Sequence, residues 1–117
     1  MGVHERTQSG ITVIDVDGEF YGDNATDDLE AAIQRDLADG SLQLILNLSE
    51  CAMMNSDSLR VMIKAKKAYE ARGGRITICG ARRKIKHLLQ VVGLYDWFDR
   101  YDDEVEAVQS FSGRRAG

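Results

Sequence analysis

The chain has 117 residues, a length that fits one domain and leaves no room for a second. Its 44% hydrophobic and 29% charged residues are typical of a soluble globular protein and exclude a largely disordered chain. The net charge of −4 conceals two segments of opposite sign, since residues 1–59 carry 12 acidic and 2 basic side chains whereas residues 60–90 carry 10 basic and 1 acidic. Such separation either directs a charged partner onto one face or reflects solvated helix faces rich in Lys and Arg.

The first residues predict a β-hairpin. Residues 11–16 are rich in β-branched side chains and partly alternate, which indicates a strand. Residues 3–7 are expected to pair with it through a turn at Ser9-Gly10. Gly18 marks a turn or bulge after this strand.

A helix and a buried strand follow. Asn24 or Thr26 is expected to cap a helix with one apolar face, which ends at Asp39-Gly40. The nearly continuous apolar run 42–48 is typical of a central strand buried on both faces. Residues 49–58 are predicted to form a polar loop.

The remaining chain continues the alternation of helix and strand. The predicted elements are a helix from Leu59 to the Gly73-Gly74 pair, a strand at 75–79, a helix at 82–92, an edge strand and turn at 95–101, and a helix at 103–111. This alternation indicates an α/β fold with a mixed sheet and helices mainly on one face. We expect residues 1–111 to form a single domain and residues 112–117 to be a flexible tail.

Patterns that carry catalysis are absent from the sequence. There is no Walker A loop, Gly-x-Gly-x-x-Gly, Gly-x-Ser-x-Gly or His-Glu-x-x-His motif, and Cys51, Cys79, His4 and His87 have no neighbours that suggest a nucleophile or a metal site. We therefore expect a protein that is not an enzyme and binds no metal or cofactor. The basic run 82–86 is a weak indication of nucleic-acid binding, because no aromatic residues are interleaved with it.

The informative segment is 54–60, which follows the predicted buried strand and opens a helix. Backbone N–H groups at a helix start are unpaired, and the helix dipole favours negative charge there. A phosphate on a hydroxyl in this turn would be well placed. From local features alone, simple capping by Asn55 or Ser56, with Asp57 in the first turn, is the favoured explanation of the segment, because capping is the commonest use of these residue types.

The segment 45–60 resembles the signature of STAS domains, the family of bacterial anti-sigma factor antagonists. That signature is an apolar strand, a short loop, and Asp-Ser-Ser/Thr-Gly-Leu-Gly at the start of a helix. Here Asn55-Ser56-Asp57-Ser58-Leu59-Arg60 aligns with it in register. The resemblance extends from residue 11 to residue 111 through Asp17-Gly18-Glu19-Phe20, Gly73-Gly74, the strand at 76–79 and Val91-Val92-Gly93-Leu94.

The resemblance implies a mixed sheet of four to five strands with about four helices. It also implies that Ser56 is phosphorylated by a serine kinase of the histidine-kinase-like ATPase fold that doubles as an anti-sigma factor. The unmodified domain would bind this kinase in the cytoplasm and release a sigma factor, and a metal-dependent serine phosphatase would reverse the modification. Direct contact with nucleic acid or a membrane is not expected. The surface expected to bind the partner comprises Tyr21, Asp23, Asn55, Asp57, Ser58, Leu59 and Arg60.

Four residues depart from the family pattern. Asn55 replaces Asp, Asp57 the second Ser/Thr, Ser58 a Gly and Arg60 the second Gly. Arg60 follows Ser56 by one helical turn, a spacing suited to pairing with a phosphate. These departures leave open a scaffold or subunit protein that is not phosphorylated, and an anion- or nucleotide-binding module.

Overall fold

The computed structural model describes residues 2–113. In this part of the chain six strands form one mixed sheet, and four helices pack against it. The elements are β1 (Gly2–Gln8), β2 (Ile11–Phe20), α1 (Asn24–Ala38), β3 (Gln43–Asn47), β4 (Cys51–Met54), α2 (Ser56–Ala71), β5 (Arg75–Cys79), α3 (Arg83–Val91), β6 (Asp99–Tyr101) and α4 (Glu104–Gly113). The predicted fold class is therefore confirmed.

The sheet has the strand order β1-β2-β3-β5-β6. β1 runs antiparallel to β2 through the predicted hairpin, and the other neighbouring pairs are parallel. Because helices connect β2 to β3, β4 to β5 and β5 to β6, α1, α2 and α3 begin beyond the carboxyl ends of β2, β4 and β5. We call this side of the molecule the carboxyl edge.

The predicted polar loop at 49–58 is wrong in its middle, where Cys51–Met54 forms β4, and at its end, because α2 begins at Ser56 rather than at Leu59. This strand pairs in parallel with the last residues of β2, and the register shifts between Gly18 and Glu19. Gly18 has φ +98°, a conformation that glycine adopts readily, so it forms the expected bulge. The bulge redirects the end of β2 toward β4, which is why the sheet has six strands rather than four to five.

The core lies mainly between the sheet and α1, α2 and α3. A smaller cluster on the opposite face lies under α4; its members are Ile11, Val13, Ile45, Cys79, Ala107 and Phe111. Helices thus cover mainly one face, as predicted. α4 extends to Gly113, so the first two residues of the expected tail are helical, and residues 114–117 lie outside the described part of the chain.

A polar cluster attaches the start of α4 to the sheet. The Arg6 guanidinium contacts Asp15 Oδ2 at 2.8 Å and also binds both carboxylate oxygens of Glu104. The Asn47 amide donates to Glu104 at 2.9 Å. Hydrogen bonding from Arg6 lowers the pKa of Glu104, so its carboxylate stays ionised to a lower pH than that of an ordinary glutamate.

The two glycines that end α2 are predicted to differ in their tolerance of a side chain. Gly73 has φ +76° with no atom near a built Cβ, whereas a Cβ at Gly74 would lie 2.6 Å from the carbonyl oxygen of Leu42. Gly73→Ala should lower the free energy of unfolding by about 1 kcal/mol, from the left-handed conformation alone. Gly74→Ala should lower it by about 2 kcal/mol, because backbone must move.

Urea unfolding of both variants measures this difference. The order of the two effects is the decisive result: if Gly73→Ala is the more damaging change, close approach of the Leu42 backbone does not limit position 74.

Candidate functional site

The carboxyl edge brings together two turns that are far apart in sequence. One follows β2 and carries Tyr21 and Asp23, and the other joins β4 to α2 and carries Asn55 and Ser56. The Asn55 backbone N–H donates to the carbonyl oxygen of Phe20 at 2.9 Å, which ties the second turn to the end of β2. The predicted site residues therefore do converge on one region.

Asn55 is the residue that caps α2. Its side-chain oxygen accepts hydrogen bonds from the backbone N–H groups of Asp57 at 3.1 Å and Ser58 at 3.2 Å. Ser56 is the first helical residue, its side chain is exposed, and its hydroxyl makes no hydrogen bond to any residue between positions 2 and 113. Of the two capping candidates, Asn55 caps the helix and Ser56 is left accessible.

Ser58 lies beneath the surface, contrary to its expected place in a partner-binding surface. Its side chain is fully buried, and its hydroxyl donates to the carbonyl oxygen of Phe20 at 2.6 Å. The Thr26 hydroxyl lies 3.0 Å from Ser58 Oγ and accepts from the Gly22 N–H at 3.0 Å. Since each hydroxyl has one proton, the Thr26 hydroxyl donates to Ser58, and the chain of bonds joins α1, α2 and β2.

Leu59 is also absent from the accessible surface, with 6% of it exposed. It packs in the main core cluster because it follows Ser58 onto the inner face of α2. Five of the seven residues expected to bind a partner remain at the surface: Tyr21, Asp23, Asn55, Asp57 and Arg60.

Ser58→Ala should destabilise the site, because the Phe20 carbonyl loses one of its hydrogen bonds and the Thr26 hydroxyl loses its buried partner. We expect the free energy of unfolding to fall by about 1.5 kcal/mol. Thermal and urea unfolding measure this, with Ser56→Ala as the matched control because the Ser56 hydroxyl is exposed. Equal stability of the two variants would contradict a structural role for the Ser58 hydroxyl.

The charges around Ser56 are paired within its own helix. Arg60 Nη1 contacts Asp57 Oδ1 at 2.9 Å, and both side chains are more than half exposed. In the unmodified chain Arg60 therefore has Asp57 as its partner. A Cβ at Gly22, where φ is +82°, would lie 2.5 Å from Asp57 Oδ2, so the turn after β2 lies directly against Asp57.

The two cysteine thiols do not have the character of activated nucleophiles. Burial raises the pKa of the Cys51 thiol to about 11 and that of Cys79 to about 12, the opposite of an activated thiol. Within residues 2–113, no three His, Cys, Asp or Glu side chains are grouped so that they could hold a metal ion.

A cavity of about 400 Å³ beside α3 bears on the anion-binding alternative. Arg82, Lys86 and Arg100 line it, but so do the carboxylates Asp102 and Glu106. The opposing charges leave little net attraction for an anion, so this cavity does not favour that alternative.

The fold and site define a small mixed α/β module that presents an exposed serine at a helix start. The sequence model of the STAS domain matches residues 3–107, and the chain belongs to this family.

Known proteins resemble the chain over most of its length. An anti-sigma F factor antagonist of Paenibacillus polymyxa is 28% identical over an alignment of 104 residues, and the match covers 85% of each chain. A Thermotoga maritima protein, crystallised as a candidate anti-sigma factor antagonist, superposes with a TM-score of 0.85 at 19% identity over 92% of each chain. The phosphorylated form of the Bacillus cell fate determinant SpoIIAA superposes with a TM-score of 0.74 at 20% identity, over 94% of this chain and 99% of that one.

Proposed function

We propose that this protein is an anti-sigma factor antagonist whose binding is controlled by phosphorylation of Ser56. In this proposal the unmodified chain binds a serine-kinase anti-sigma factor of the histidine-kinase-like ATPase fold in the cytoplasm. The kinase phosphorylates Ser56 and releases the chain, and a metal-dependent serine phosphatase restores it. Membership of the STAS family and the Paenibacillus polymyxa relative support the general role.

The accessibility of Ser56 is the observation that carries the proposal. A kinase must place the acceptor hydroxyl against its bound nucleotide, which requires a hydroxyl that is exposed and not engaged elsewhere. Ser56 meets both conditions because Asn55 takes the capping role. Ser58, two residues further on, meets neither, since it is buried and hydrogen-bonded.

The surroundings of Ser56 would accommodate a phosphate in the folded chain. Ser56 is the first residue of α2, where the helix dipole favours negative charge. Arg60 is one turn away and would exchange its exposed partner Asp57 for the more highly charged phosphate. The protein should therefore carry the modification without a change of fold.

Mapping the phosphorylated residue tests the proposal. The protein is incubated with ATP, Mg²⁺ and a candidate serine kinase of the histidine-kinase-like ATPase fold, and the modified residue is located by mass spectrometry. We expect a single phosphate on Ser56 and none in the Ser56→Ala variant. Modification of Ser58 would contradict the assignment.

Two other outcomes would favour the alternatives. Binding of the kinase without any modification would favour a scaffold or subunit role. Thermal stabilisation by a nucleotide, with no protein partner, would favour a nucleotide-binding module.

In this proposal the partners of the chain are proteins, and it contacts neither nucleic acid nor membrane. Among residues 2–113, none of the helices has the length and apolar character needed to cross a bilayer.

A further inference from the structure

Two neighbouring strands of the sheet are followed by helices on opposite faces. α3 follows β5 and packs Ile85 and Leu89 into the main core cluster, whereas α4 follows β6 and packs Ala107 and Phe111 into the cluster on the other face. Because β5 and β6 are adjacent and parallel, a crevice opens beyond their carboxyl ends, where the chain divides. Open α/β sheets bind small molecules at such a point, since the strand ends and both helix starts surround it.

The cavity of about 400 Å³ beside α3 lies in this crevice. The last residues of β5 and β6 form its floor, while Lys86 of α3 and Glu106 of α4 line its two sides. A cavity of a few hundred Å³ is large enough to hold a small organic molecule. Position and size therefore both indicate a small-molecule site.

Three cationic side chains line the cavity, and two of them already have partners. Arg82 contacts Glu50 at 3.4 Å, and Arg100 contacts Asp96 at 3.2 Å. Lys86, in the first turn of α3, forms no ion pair with any residue between positions 2 and 113. Lys86 is therefore the cation that is available to a ligand.

Two carboxylates line the cavity on the α4 side. Asp102 lies in the turn before α4, and Glu106 lies in its first turn. One oxygen of Glu106 accepts from the Asp102 backbone N–H at 3.3 Å, whereas the Asp102 carboxylate has no partner among the described residues. No ion pair within residues 2–113 joins Lys86 to either carboxylate. An unpaired cation and an unpaired carboxylate thus lie on opposite sides of one cavity.

We propose that this cavity binds a free α-amino acid with an uncharged side chain. The carboxylate of the ligand contacts Lys86, and its ammonium group contacts Asp102. An anion alone would meet Asp102 and Glu106, and a cation alone would meet Lys86 and the two arginines. Only a molecule that carries both charges finds complementary partners on both sides. A charged side chain would add a third charge that has no free partner in the cavity.

This binding goes beyond the proposed function and does not depend on it. None of the residues that line the cavity belongs to the surface expected to bind the kinase, and Ser56 lies at the start of a different helix. Phosphorylation of Ser56 and binding of an amino acid are therefore separate results, and failure of one leaves the other standing.

Titration of the full chain with each uncharged standard amino acid, followed by nuclear magnetic resonance, measures the binding. We expect at least one of them to bind with a dissociation constant of about 1 mM or lower. The N-acetyl derivative of that amino acid lacks the cation, and its amide lacks the anion, so each should bind at least about tenfold more weakly. The proposal is wrong if no amino acid binds at about 10 mM, or if either derivative binds as tightly as the free amino acid.

Substitutions at the two unpaired charges identify the site. Lys86→Met removes the cation and Asp102→Asn removes the free carboxylate, and each should raise the dissociation constant at least about tenfold. Both side chains are exposed, so the melting temperature without ligand should stay near that of the parent. Lys84→Met and Asp28→Asn are matched controls, because they make the same changes at exposed positions that do not line the cavity. Equal loss of binding in the controls, or full binding by both site variants, would contradict the proposed site.

Discussion

Ser56→Asp is expected to weaken binding of the proposed partner kinase at least about a hundredfold, a loss of about 3 kcal/mol. The aspartate places a fixed charge where the kinase would meet a neutral hydroxyl beside Asp57. That charge must lose its water against the partner surface without a cation to replace it, which is the main cost. Ser56→Ala, which introduces no charge, should bind like the unmodified protein. Isothermal titration with the kinase measures both.

The fold should not contribute to this loss. Asp at the first position of α2 interacts favourably with the helix dipole and with Arg60, so the melting temperature of Ser56→Asp should stay near that of the parent. Ser112→Asp is a matched control, because Ser112 is an exposed serine in the last helix, away from the carboxyl edge. Equal binding by Ser56→Asp and Ser56→Ala would show that Ser56 does not control the partner.

Local patterns predicted most of the fold but not β4. The hairpin turn, the buried strand β3 and the glycines that end helices follow from residue type and short-range periodicity. β4 has four residues between polar neighbours, and it pairs with the end of β2 only after the bulge at Gly18. Such pairing depends on the path of a distant strand, which a local pattern does not contain.

The candidate site, like the fold, was predictable from local patterns only in part. The helix start at 55–58 was predictable, because Asn and Ser before an apolar helical face indicate a cap. The burial of Ser58 was not, since the partners of its hydroxyl, Thr26 and Phe20, are 32 and 38 residues away in sequence. The spacing of Arg60 from Ser56 predicted that Arg60 would pair with a phosphate on Ser56. In the structure Arg60 pairs with Asp57, three residues earlier in the same helix.

A buried carboxyl group also lies in α1. Asp36 shares a helix face with Leu29 and Ile33, at spacings of seven and three residues, and only 6% of it is exposed. Its Oδ2 atom is buried and has no hydrogen-bond partner among the described residues. Helical periodicity alone could have placed this residue in the interior.

Burial and the neighbouring Glu5 of β1 raise the pKa of Asp36 from 3.8 to about 7. The other titratable groups around it are Arg35 and Asp39 in α1 and Tyr69 in α2, of which Arg35 alone opposes the shift. The folded chain thus holds a proton that the unfolded chain releases near pH 4. The free energy of unfolding is therefore highest, as far as Asp36 is concerned, below the pH at which the unfolded chain loses this proton. It falls as the pH rises from there to about 7, because Asp36 must then ionise inside the folded chain.

Asp36→Asn should therefore stabilise the protein at alkaline pH and not at acidic pH. A shift of this size corresponds to at most about 4 kcal/mol, and we expect a gain of about 3 kcal/mol at pH 8, because part of the penalty is shared with Glu5. At about pH 2.5, well below the ordinary pKa of 3.8, the two proteins should unfold at the same urea concentration, since Asp36 is then neutral in both the folded and the unfolded chain. Asp102→Asn, at an exposed carboxylate after β6 that is not among the groups around Asp36, is the control, and it should leave the difference in stability between the two pH values as it is in the parent. A variant Asp36→Asn that is less stable than the parent at every pH would contradict this prediction. The ionised carboxylate would then make favourable contacts in the folded chain, and its buried Oδ2 atom would not destabilise the protein.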